Sequence, residues 1–112
     1  MFGWATFGKL KFAGEVYGHD LKVDENGNAA RWEHGQEHEL TEDDLLSLLT
    51  TDTVAIVVGC GHHGQLRLNE GAKKLIEEKQ LELHFFQTPG AVKEYNQICE
   101  SRKTIAFVHV SC

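Results

Sequence analysis

Cysteine and histidine are the residues of this sequence best suited to chemistry. Three cysteines (Cys60, Cys99, Cys112) and seven histidines fall in 112 residues. The segment Gly59-Cys60-Gly61-His62-His63-Gly64 gathers a thiol and two imidazoles among glycines, and His109 precedes Cys112 by three positions. A thiolate is a nucleophile or a metal ligand when a neighbouring base or a helix N-terminus lowers its pKa. Cys60 and Cys112 are therefore candidate nucleophiles, with His62 or His63 as base. The spacing is incomplete for most named chemistries. No cysteine or histidine pair has the short spacing of a structural zinc site, and two adjacent histidines cannot readily face one ion. His34 and His38 are four apart, but Gly35 between them speaks against a helix. We expect no native metal. Cys99 falls on the apolar stripe of a predicted helix and reads as core.

The same segment spells GxGxxG, the pattern of dinucleotide-binding loops. That motif works when its glycines open directly into a helix and an acid closes the next strand. Here Gln65-Leu66-Arg67-Leu68 intervenes, and Phe86-Gln87-Thr88 supplies no acid. No cofactor is expected. A strand exit with glycine N–H groups beside the helix starts at Asn69 and Thr88 is still a candidate seat for a small anion.

These residues need a scaffold. Thr53 to Val58 is β-branched and apolar on both faces, the signature of a covered central strand. Asn69 caps a helix reaching about Lys79, with Ala72, Leu75 and Ile76 inside and the pairs Lys73–Glu77 and Lys74–Glu78 outside. Leu81 to Phe86 is a further strand. Thr88 reads as the N-cap of the next helix, with Pro89 at its first position. Ala91, Val92, Tyr95, Ile98 and Cys99 form its inner stripe, and Thr104 to Val110 is the last strand. This alternation implies parallel strands with right-handed crossovers, and sites at the carboxyl ends of the strands. The exits carrying Gly59 to Gly64 and His109 to Cys112 should then meet at one edge.

The first third reads as strands: Trp4 to Phe12, a turn at Gly14, then a return through Val16-Tyr17 to Asp24. Asn26-Gly27 signals a hairpin turn, with a short strand near Ala29 to Trp32 after it. Thr41 caps a short helix whose first turn holds Glu42, Asp43 and Asp44, and which ends near Leu49.

Length and composition fit one domain over 1–112, 41% hydrophobic and 25% charged. Net charge is −6, and residues 26–52 hold seven acids against Arg31 alone. No basic cluster is present to neutralise phosphates or an anionic membrane, which argues against nucleic acid and membrane partners. The acidic stretch from Glu33 to Asp44 reads as a solvated face. An odd cysteine count with no CxxC and no basic opening residues fits reduced thiols in the cytoplasm.

Four stretches carry a family resemblance: Val57-Val58-Gly59-Cys60-Gly61, Leu66-Arg67-Leu68, Thr88 to Asn96 (TPGAVKEYN) and His109-Val110-Ser111-Cys112. In them the chain resembles the Mth938-like domains, whose animal members include a mitochondrial complex I assembly factor. Cys60 departs from the pattern, which usually has Thr there, and Asn69 stands where proline is common. The resemblance implies a three-layer α/β fold. Its central sheet is mostly parallel with helices on both faces, joined by an N-terminal antiparallel, β-hammerhead-like part. It implies assembly or regulation rather than an established catalytic set, with Cys112 better placed than Cys60 for any shared role. The candidate binding residues are Gly59, Cys60, Gly61, His62, His63, Thr88, His109 and Cys112. The expected function is a non-catalytic protein-interaction module of assembly-factor type. The alternative is a thiol-dependent enzyme binding a small molecule or anion at the same edge.

Overall fold

The computed structural model describes residues 1–33 and 38–111. Candidate residue Cys112, and His34 of the histidine pair, lie outside the described residues. The chain folds as an α/β sandwich around a five-stranded sheet. Its strands are β4 (Leu21–Val23), β5 (Ala29–Arg31), β7 (Ala55–Gly59), β9 (Glu82–Phe86) and β10 (Thr104–Val108), in the order β5-β4-β10-β7-β9. β10, β7 and β9 run parallel, while β4 lies antiparallel to β10 and β5 antiparallel to β4. A separate antiparallel sheet holds β1 (Phe2–Thr6), β2 (Lys9–Phe12) and β3 (Glu15–Tyr17). A two-residue parallel ladder joins β6 (Glu39–Leu40) to β8 (Arg67–Leu68).

Every residue of β7 and β10 is buried, as an apolar, β-branched run covered on both sides requires. Their alternation sorts two cores. Ala55, Val57, Ala106 and Val108 face α3 (Thr88–Ile98) and the small sheet, where Phe2 and Phe12 each meet Tyr95 edge to face. Burial pushes the Tyr95 phenol up to about 12. Ile56, Val58, Ile105 and Phe107 face α1 (Glu42–Leu48) and α2 (Glu70–Glu78), with Trp32 edge-on to Phe107 at 5.2 Å. Burying a large aromatic such as Phe107 contributes about 1.5–3 kcal/mol.

Local signals set the helix starts. Thr41 and Asp44 form a reciprocal capping box on α1. Asn69 Oδ1 accepts the Ala72 N–H on α2, at 2.8 Å. Outside α2, Lys74 pairs with Glu78 as its spacing predicts, but Lys73 turns back to Glu70 at 3.4 Å.

Three expectations change. The run from Trp4 to Phe12 is two strands, because Phe7-Gly8 is a hairpin tip with Gly8 at φ 87°, a region that favours glycine. The return from Val16 to Asp24 is also two strands. It breaks at Gly18-His19-Asp20, where the chain leaves the small sheet and enters the large one. The helix beginning at Thr88 is capped at Gln87 with no side-chain bond. The Thr88 hydroxyl is used elsewhere, as described below.

Candidate functional site

The parallel register of β7 and β10 places Gly59 beside Val108, so the two strand exits leave the sheet as neighbours. The ladder continues past the strands. The His109 N–H donates to Gly59 O at 2.9 Å, and the His62 N–H donates to Ser111 O at 3.1 Å. Thr88, at the start of α3, bolts the two exits together. Its hydroxyl donates to His109 O at 2.6 Å and accepts the Gly61 N–H at 3.1 Å. Its own N–H donates to Gly61 O at 3.2 Å. Gly59 is where this joint is tightest: a Cβ there would stand 3.1 Å from Thr88 Oγ1 and 3.3 Å from Val108 Cγ1. Gly59, Cys60, Gly61, His62, Thr88 and His109 thus form one cluster.

Part of the anion cradle that the glycines invite is already filled by protein acceptors. The N–H groups of Cys60, Gly61, His62, Thr88 and His109 are all spent on protein acceptors, Phe86 O being that of Cys60. Pro89 has no N–H to offer at the next helical position. The GxGxxG segment is followed by β8 rather than by a helix. Cys60 points into the core beneath α1 and α2, and burial pushes its thiol up from the ordinary range. Cys99 packs against the opposite core, and burial raises its thiol too. Among the described residues no group of three or more metal-ligating side chains is gathered.

What the edge presents is aromatic. Phe7, at the tip of the β1–β2 hairpin, is 60% exposed. Its ring stands 5.8 Å from both the His62 and His63 rings. The hairpin is fixed there by the Gly8 N–H, which donates to Val110 O at 2.7 Å.

On the other side of the β10 exit the candidate residue His109 meets Asp20, which the sequence did not single out. His109 is buried, and its Nδ1 donates to Asp20 Oδ2 at 2.8 Å. Asp20 Oδ1 accepts the Val110 N–H at 2.8 Å, and the Asp20 carbonyl accepts the Trp32 N–H at 2.9 Å. One aspartate therefore ties together the start of β4, the end of β5 and the exit of β10. A cleft of about 520 Å³ opens beside it, lined by His19, Asp20, Arg31, Glu33, Val110 and Ser111 among others. The only sequence cue was a glycine followed by a polar pair inside an apparent strand. The cue marks a break and does not reveal a partner 89 positions away.

This architecture, a mixed sheet with helices on both faces and an antiparallel N-terminal sheet, defines an Mth938-like α/β domain. A family model described as a protein of unknown function (DUF498/DUF598) matches residues 4–109, and the chain belongs to that family. It is similar to the crystal structure of the conserved hypothetical protein PH1505 from Pyrococcus horikoshii OT3. That match has 28% identity and a TM-score of 0.90, covering 100% of this chain and 99% of the other. The structure named MT938 matches with 26% identity and a TM-score of 0.83, over 100% and 98% of the two chains. The solution NMR structure of an Mth938-like domain from Bordetella pertussis shares the fold at 14% identity and a TM-score of 0.72, over 94% and 82%. No curated protein matches the chain.

Proposed function

We propose that this protein is a non-catalytic interaction module of assembly-factor type, and that it docks a protein partner through its strand-exit edge. The observation that carries the reading is the division of labour at that edge. Cys60 is buried with its pKa raised and the amides of Cys60, Gly61 and His62 are consumed internally, while Phe7 stands exposed over two imidazoles on a hydrogen-bonded base. An exposed aromatic on a preorganised platform is the usual anchor of a protein contact. The setting is the cytoplasm, where Cys60 and Cys99 stay reduced. Among the described residues no helix is long and apolar enough to cross a membrane.

A photo-cross-linking residue placed at position 7, in the cell of origin, tests this reading. We expect a cross-linked product containing a different polypeptide, absent when the same residue replaces exposed Lys79. Equal cross-linking from both positions, or none from position 7, would overturn it.

The cleft beside Asp20 favours a second reading, as a binding site for a small polar molecule. Its volume falls within the ~300–1,000 Å³ usual for such sites, and Arg31 and His19 bring donors to it. A thiol mechanism through Cys60 at the same edge would need that residue activated. Iodoacetamide should label Cys60 in the native protein much more slowly than it labels free cysteine. The rate should keep climbing with pH beyond ~8.5, the ordinary thiol value. Fast labelling at neutral pH would restore the enzyme reading.

A further inference from the structure

β9 closes the large sheet on the side away from β5, and among the described residues no strand pairs with its outer edge. The phase of its backbone is set by two bonds. The Glu82 N–H donates to Val54 O, and Phe86 O accepts the Cys60 N–H. Residues 82, 84 and 86 therefore turn their backbone groups toward β7. The parallel ladder leaves those of Leu83 and Phe85 pointing outward. The same two residues are each 40% exposed. An uncovered edge with apolar side chains is a template for another strand.

We propose that this edge pairs with β9 of a second copy, antiparallel, about a two-fold axis at His84. In that register Leu83 of each copy faces Phe85 of the other as a hydrogen-bonded pair, so the outward N–H and C=O groups of both residues are satisfied on both copies. Leu83 and Phe85 pair with Ile56 and Val58 across the sheet and lie on its α2 face. The axis thus gathers two leucines and two phenylalanines into one apolar cluster.

Charge favours a second copy over an unrelated strand. Phe85 shares a groove of about 270 Å³ with Arg67, Leu68 and Lys73. α2 returns antiparallel to β9, as a crossover between parallel strands must. Glu77, one turn beyond Lys73 on the same helix face, therefore lies toward the Leu83 end of the strand. Both side chains are exposed. The two-fold reverses this order, setting Lys73 of each copy against Glu77 of the other. A symmetric contact needs this self-complementarity.

Sedimentation equilibrium of the purified protein across a wide concentration range tests the proposal. The mass should rise from one chain to two. Leu83→Lys should hold the protein monomeric while its circular dichroism is unchanged. Lys73→Glu alone and Glu77→Lys alone should each weaken the dimer about tenfold, and the double exchange K73E/E77K should restore it. A monomer at every concentration would overturn the proposal, as would a dimer unaffected by any of these changes. Should Leu83→Lys fail to fold, the charge series on exposed side chains still decides. Purified protein alone is used, so the result is independent of the strand-exit reading.

Discussion

Asp20→Ala is expected to lower the free energy of unfolding by about 3 kcal/mol, a large effect for one residue in a chain junction. The substitution removes both carboxylate oxygens at once. It takes the 2.8 Å acceptor from the His109 imidazole and the 2.8 Å acceptor from the Val110 N–H. Losing a hydrogen bond to a charged group costs about 1.5–3 kcal/mol, and a buried donor left unmet adds its own desolvation. Asp20→Asn keeps an acceptor for one donor and should cost about half as much. Urea unfolding of the two variants provides the measurement. A change of less than about 0.5 kcal/mol in Asp20→Ala, the range of neutral surface changes, would mean that the junction is held by other contacts.

Thr88→Val should cost about 2 kcal/mol, although volume and β-branching are conserved. The hydroxyl is both donor and acceptor between the exits of β7 and β10. Its loss strands the Gly61 N–H and removes the bond to His109 O, in a site where Thr88 itself is fully buried. Thr88→Ser keeps the hydroxyl and loses only a methyl, so it should cost about 1 kcal/mol. Amide exchange separates the two: Gly61 should exchange faster in the valine variant and stay protected in the serine variant. Equal stability and equal protection would remove Thr88 as the bolt.

The fold was legible where the signal is local or periodic. Thr41 and Asn69 cap their helices through residues three positions on, and the apolar run 54–58 announces a covered strand within its own length. Hence the parallel half of the sheet and the meeting of the Gly59 and His109 exits follow from the residues themselves. The N-terminal breaks were not legible, since alternation continues through Phe7-Gly8 and Gly18-Asp20. What stops the strands there is a tip bonded to Val110 and a change of sheet. Long-range bonds also escaped notice: Thr88 resembles an N-cap in sequence, and only the packed structure redirects its hydroxyl.

Strand β10 sits in the middle of its sheet but is the last to be made. Until it arrives, β5-β4 and β7-β9 have no common partner, and Gly8 and Asp20 lack the carbonyl and amide of Val110 that fix them. On the ribosome, the opening hairpins must wait for residues 104–110 before they can settle. Assembly of this domain is therefore a late, all-at-once event with slow, distant contacts, and a nascent chain stalled before residue 104 would expose both sheet halves to chaperones.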